Sequence, residues 1–125
     1  MKSKILVVDD SSLARRLTRR ILEELGYEVE EAADGAEALE KYAINGHDLV
    51  VLDLVMHGMY GVDVLQKFQE LNPKLPVIIA TADIQRSTRD QVKSAGAAAI
   101  INKPLDKDSL SEILDVVLAG GTVWN

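Results

Sequence analysis

At 125 residues the chain is the size of one domain and long enough to bury a core. Its 47% hydrophobic content excludes a disordered chain, and the absence of cysteine excludes both a disulfide framework and a thiolate metal site. A net charge of −6 argues against direct nucleic-acid binding, and the first apolar run is too short for a signal peptide or membrane span, so a cytoplasmic location with no membrane insertion is expected.

The first strand is expected at Ile5-Leu6-Val7-Val8, which is apolar on both faces and should be covered on both. Ser11 or Ser12 offers an N-cap to a helix with Leu13, Leu17, Ile21 and Leu25 on one face, ended by Gly26. Arg15, Arg16, Arg19 and Arg20 fall on this helix, with Glu23 and Glu24 four residues after the last two. The spacing predicts a solvated, charge-paired face. Tyr27-Glu28-Val29-Glu30-Glu31 alternates as an edge strand should, and Asp34-Gly35-Ala36-Glu37 has the form of a capping box. The helix it opens runs to Asn45-Gly46.

Leu49 to Leu52 is a third strand ending at Asp53. Gly58 and Gly61 predict a mobile turn, followed by a helix with Val62, Leu65, Phe68 and Leu71 on one face that ends at Asn72-Pro73. Val77 to Ala80 forms a fourth strand stopping at Thr81. The next helix, near Ser87 to Ala95, has Val92 as its one large apolar residue. Ala98 to Ile101 is the fifth strand, followed by Asn102-Lys103-Pro104. Asp106 caps a last helix with Leu110, Ile113, Leu114 and Val117 inward, which ends at Gly120-Gly121. Trp124 then lies on a tail, tucked or frayed.

Strictly alternating strands and helices predict right-handed βαβ units. The expected class is α/β: a flavodoxin-like, doubly wound, five-stranded parallel sheet of order 2-1-3-4-5 with five helices. In that order the carboxyl ends of strands 1, 3, 4 and 5 share one crevice. The residues delivered there are Asp9 and Asp10, Asp53, Thr81, and Lys103. Three carboxylates held together repel one another unless a cation sits among them. An all-oxygen set selects a hard ion, Mg2+ first. An aspartate carboxylate is a competent nucleophile for phosphoryl transfer, and a lysine and a hydroxyl can meet the phosphoryl oxygens.

Asp9-Asp10, Asp53, Thr81-Ala82 and Lys103-Pro104, taken in order, resemble the receiver domain of two-component response regulators, over nearly the whole chain. The resemblance is to a single-domain, CheY-like member, with a receiver domain at 1–121, a C-terminal tail at 122–125 and no output domain. It implies phosphorylation on Asp53 by a histidine kinase, with Mg2+ as cofactor. Asp9, Asp10, Asp53 and the backbone carbonyl of Val55 would serve the metal, Asp9 directly or through water. Thr81, Ala82 and Lys103 would surround the phosphoryl group, and Pro104 would follow a cis bond. Val55 and Asp83 would tune the lifetime of the acyl phosphate, although Asp83 serves equally well as a helix cap. The implied protein is a phosphoacceptor that assists its own phosphorylation and dephosphorylation, rather than an enzyme. It would signal by a conformational change to a target protein, with a phosphatase as a further partner, as a monomer or a weak phosphorylation-dependent dimer. Chemotaxis is the first pathway to expect; a phosphorelay or developmental receiver is the alternative.

Three positions depart from the family pattern. Ile100 stands where receivers carry Tyr or Phe, so the switch lacks its aromatic ring and an aliphatic repacking would have to replace it. His57 occupies a usual proline position, and Leu105 replaces a frequent phenylalanine. Arg86, Arg89 and Lys93 share a face of the fourth helix, either simply solvated or as an output surface for an acidic partner.

Other functions fit less well. An aspartyl-phosphate hydrolase or mutase would need an acid two residues after the nucleophile, where Val55 stands. A flavin module would need a phosphate cradle where Asp9 and Asp10 stand, and the full acidic set argues against a degenerate receiver.

Overall fold

The computed structural model describes residues 3–54, 61–82 and 85–124. Within them lie strands β1 (Lys4–Val8), β2 (Glu28–Ala32), β3 (Leu49–Leu52), β4 (Val77–Thr81) and β5 (Ala99–Asn102). They alternate with helices α1 (Ser12–Glu24), α2 (Gly35–Asn45), α3 (Gly61–Leu71), α4 (Arg86–Ser94) and α5 (Lys107–Leu118). The strands form one parallel sheet in the order β2-β1-β3-β4-β5, as expected from the sequence. Every residue of β3 and β4 is buried, because helices cover both faces of a parallel sheet. Leu6, Val50, Leu52, Ile79 and Phe68 belong to the core on one face. Ile5, Val7, Val51, Ile78, Leu110 and Leu114 form the core on the other. No helix among the described residues is long and apolar enough to cross a membrane.

Local chemistry explains where the helices start. Ser11, not Ser12, caps α1 by accepting from the Ala14 amide. Asp34 caps α2 through the Glu37 amide at 2.8 Å, while Glu37 reaches back to the amide of Ala33 rather than to that of Asp34. Asp106 caps α5 through Ser109.

Two apolar helix stripes are only partly buried. On α1, Leu13 and Leu17 are 64% and 53% exposed, and the buried residues are Thr18 and Leu22. Residues four apart drift around a helix of 3.6 residues per turn, so a stripe seated at Ile21 and Leu25 has left the sheet two turns earlier. On α3 the buried set is Val64, Leu65 and Phe68, while Leu71 is exposed. The expected turn at Gly58 lies outside the described residues, and Gly61 is the first residue of α3 rather than part of a mobile turn.

His47 is the unexpected polar feature of the β2 side. Its ring is fully buried, stacks on Tyr42, and its Nε2 lies 2.8 Å from the Glu30 carboxylate. A carboxylate partner requires the proton on Nε2, which leaves buried Nδ1 as an acceptor without a partner among the described residues. Burial pushes the imidazole pKa down; Glu30 opposes this but does not outweigh it. A depressed histidine pKa means that the unfolded chain binds the proton first, so stability is present above the ordinary value of 6.5 and is lost as pH falls below it. Glu30 is held below its ordinary value: its burial is overcome by bonds from Asn45 and His47, so its own contribution fades only at lower pH. Urea midpoints should therefore decline between about pH 7 and pH 5 in the native protein. His47→Gln should flatten that decline. An unchanged slope would show that His47 is not the titrating group.

Candidate functional site

The carboxyl edge of the sheet gathers the polar residues. Each of the central strands is apolar until its end, so the first side chain that can leave the core does so at the same edge. The Asp53 amide donates to the Val8 carbonyl at 3.0 Å, which locks the end of β3 to that of β1. The Lys103 amide donates to the Thr81 carbonyl at 2.9 Å, which locks the end of β5 to that of β4. Register alone thus brings Asp9, Asp10, Asp53, Thr81 and Lys103 together.

Asp9 and Asp53 are 4% and 9% exposed, Thr81 is buried, and Asp10 is more open to solvent. One oxygen from each of Asp9, Asp10 and Asp53 lies within 4.8 Å of the others. Lys103 Nζ lies 2.5 Å from Asp9 Oδ2 and 3.4 Å from Asp53 Oδ2. Burial works against the ammonium, but the Asp9 hydrogen bond and the charges of Asp53 and Asp9 outweigh it and hold its pKa above the ordinary lysine value. Lys103 is therefore a permanent cation at neutral pH. Asp9 Oδ1 meanwhile accepts from the Ser11 amide at 2.9 Å, which fixes its rotamer. Three carboxylate donors with no nitrogen or sulfur ligand fit a hard divalent cation.

Ala82 is exposed next to Thr81, and the Lys103–Pro104 peptide bond is cis. Ile100 is half-buried and packs against the core on the α4 side. Val55, His57 and Asp83 lie outside the described residues.

Two residues here escaped the sequence reasoning. Arg15 does not simply sit on a solvated face: its guanidinium donates to the Asp9 carbonyl at 2.6 Å and pairs with Glu31 across to β2. Arg19 joins the same glutamate at 2.9 Å, while Arg19–Glu23 and Arg20–Glu24 form the expected pairs along the helix. The sequence signal was Arg15 and Arg19 four apart, opposite an acidic edge strand. Gly61 is the second. A Cβ there would lie 2.5 Å from Leu54 Cα and 2.7 Å from the Asp53 carbonyl oxygen, so α3 packs directly on the backbone that carries the aspartate.

The fold and this acidic crevice are those of a receiver domain. The model of the response regulator receiver domain matches residues 5–115, and the chain belongs to that family. Chemotaxis protein CheY of Thermotoga maritima is 33% identical over 118 residues, covering 94% of this chain and 98% of that protein. Sensor protein EvgS of Escherichia coli K12 is 38% identical over 109 residues, but this chain spans only 9% of its length. A crystal structure of a CheY-like receiver domain protein from Methanospirillum hungatei superposes with a TM-score of 0.90 at 33% identity, covering 95% of each chain. Members of the family accept phosphoryl groups in two-component signalling, generally from a histidine kinase, bind Mg2+ at an acidic pocket and act on a downstream target.

Proposed function

We propose that Asp53 is the phosphoacceptor of this chain and that a histidine kinase is its donor. The observation that carries this reading is the pairing of a buried carboxylate with a fixed cation. Asp53 directly follows β3, its Oδ2 3.4 Å from Lys103 Nζ, beside Asp9 and Asp10. Attack of an Asp53 oxygen on a phosphohistidine breaks the nitrogen–phosphorus bond and leaves an acyl phosphate. Lys103 neutralises charge on the phosphoryl oxygens, and Thr81 with the neighbouring Ala82 amide supplies hydrogen-bond donors. Asp9, Asp10, Asp53 and the Val55 carbonyl would hold Mg2+, which supplies further charge neutralisation when bound. Val55 and Asp83 are assigned to the lifetime of the product, and Ile100 to the aliphatic repacking that replaces an aromatic switch.

An apolar cleft lined by Ala14, Leu17, Ile21, Pro104 and Leu105 opens beside Lys103. Leu17 is exposed there, and the cleft suits the apolar face of a donor helix reaching Asp53.

Matches over nearly the full length of two chemotaxis CheY proteins support a chemotaxis role, with a target protein and a phosphatase as partners. The match to a stretch of a sensor protein supports the phosphorelay alternative. Incubation with acetyl phosphate and Mg2+ should add one phosphoryl group that hydroxylamine removes, the signature of an acyl phosphate. Absence of labelling, or a hydroxylamine-resistant label, would overturn the assignment.

A further inference from the structure

The peptide between Asp9 and Asp10 joins two of the three crevice carboxylates, and it lies beyond the sheet ladder. β1 pairs with β2 and β3 as far as Val8, and the Asp9 amide then reaches the Ala32 carbonyl at 3.2 Å. α1 begins at Ser12, so Asp9 to Ser11 belong to neither element. A backbone carbonyl released from a ladder at a buried residue needs another donor. Arg15 supplies it: from the first turn of α1, its Nη1 donates back to the Asp9 carbonyl at 2.6 Å. Asp9 is thus held at two points. Its carboxylate is fixed by Lys103 and by the Ser11 amide, at 2.5 and 2.9 Å, and its carbonyl by Arg15. The carboxylate contacts do not set the plane of the Asp9–Asp10 peptide, and rotation of that plane swings Asp10 relative to Asp9.

Arg15 is itself held from the edge of the sheet. Its Nε faces Glu31 Oε1 at 3.3 Å while Nη1 faces the carbonyl, a use of the guanidinium fork that a lysine ammonium cannot reproduce. Glu31 lies on β2 opposite Val7. Its Oε2 accepts from Arg19 Nη1 at 2.9 Å, and its backbone carbonyl accepts from Lys41 Nζ at 2.6 Å. The Arg19 hydrogen bond outweighs the burial of Glu31 and, with the charges of Arg19 and Arg15, holds its carboxyl below the ordinary value. The Arg15 side chain is only 16% exposed, whereas its neighbour Arg16 is open to solvent. A continuous chain of contacts therefore runs from α2 and the β2 edge, through Glu31 and Arg15, to the backbone that carries Asp9 and Asp10.

We propose that Arg15 is a positioning residue of the acidic site: it sets the plane of the Asp9–Asp10 peptide so that both carboxylates meet Asp53, and Glu31 with Arg19 sets Arg15. Arg15 has this role on the reading that Asp9, Asp10 and Asp53 hold Mg2+ and that Asp53 accepts phosphate. Positioning and bare charge predict opposite signs. A fixed cation near three carboxylates repels a dication, so as a charge alone Arg15 would weaken Mg2+ binding and its removal would tighten it. As a positioning group, its removal loosens the carboxylate set and weakens binding. Groups that orient metal ligands in this way are worth about ten- to a hundredfold in metal affinity.

Calorimetric titration with Mg2+ decides between them, alongside the Mg2+ dependence of labelling by acetyl phosphate. Arg15→Ala should raise the Mg2+ dissociation constant about tenfold and raise the half-saturating Mg2+ for labelling by the same factor, with most of the native rate regained in excess Mg2+. Arg15→Lys keeps the charge and loses the fork, so it should weaken Mg2+ binding in the same direction and by less; a bare charge predicts no change there. Arg16→Ala, which removes the same charge from an exposed neighbour, should leave Mg2+ affinity close to native. Glu31→Ala should weaken binding in the native background and add nothing in the Arg15→Ala background, because it acts through Arg15. Native or tighter Mg2+ affinity in either Arg15 variant, whatever its urea midpoint, would overturn the proposal. So would an equal loss in Arg16→Ala, or a Glu31→Ala effect that adds in full to that of Arg15→Ala. Those outcomes leave the phosphoacceptor reading standing, provided that the native chain binds Mg2+ and takes its label on Asp53. A native chain that binds no Mg2+, or takes no label there, overturns that reading and the role of Arg15 together.

Discussion

Asp53→Asn should abolish phosphoryl incorporation from acetyl phosphate and Mg2+ while leaving the protein folded. The amide keeps the shape of the carboxylate but is not a nucleophile, and it weakens the oxygen set offered to a hard cation. The backbone does not need the charge, because the Asp53 amide remains bonded to the Val8 carbonyl. One of three carboxylates lying within 4.8 Å is neutralised, which relieves repulsion and offsets the lost attraction to Lys103. The urea midpoint should therefore hold or rise. Intact-mass measurement decides the matter: labelling of the variant to the native level would move the phosphoacceptor elsewhere, and loss of structure by circular dichroism would make the loss of labelling uninformative about nucleophilicity.

Gly61→Ala is the second large effect, and it acts without touching a charged group. The added methyl meets Leu54 Cα at 2.5 Å, the Asp53 carbonyl at 2.7 Å and the Leu54 carbonyl at 3.0 Å. All three are backbone atoms, so no side chain can swing aside. The Gly61 amide also donates to the Leu54 carbonyl at 3.0 Å, which ties the start of α3 to the same segment. Either α3 withdraws or the Asp53–Leu54 backbone shifts. The overpacking should cost about 1–3 kcal/mol. A displacement of about 1 Å at a reacting group can reduce rate by about a hundredfold, so labelling should slow by one to two orders of magnitude. Initial labelling rates and urea midpoints measured on the same preparation test both effects. A variant with native rate and native midpoint would contradict the close approach. A lower midpoint with a native rate would mean that α3, not Asp53, gives way.

The legibility of this chain differs from feature to feature. The sheet order followed from five βα repeats, because parallel strands need covered faces and right-handed crossovers, and few arrangements satisfy both. The acidic crevice was legible for a related reason. A strand that is apolar to its last residue must release its first polar side chain at its carboxyl end, and Asp9, Asp53, Thr81 and Lys103 all stand there. Helix faces were less legible. Leu13, Leu17, Ile21 and Leu25 recur at helical spacing on α1, yet Leu13 and Leu17 are exposed, because hydrophobic spacing fixes a stripe and not how far along the helix the sheet extends beneath it.

What the chain alone determined is the class of chemistry: a carboxylate-and-lysine site on an α/β sheet whose donors fit a hard cation, with the order of its parts. That follows from residue type at strand ends and needs no packing detail. The tertiary structure decided everything set by contact between segments far apart in sequence. Arg15 reaches the Asp9 carbonyl, His47 is buried against Glu30, Gly61 lies on the backbone of Leu54, and Trp124 folds over α4 beside Lys93. Apart from the four-residue spacing of Arg15 and Arg19, none of these leaves a periodic trace, since each depends on where two elements meet rather than on the pattern within either one.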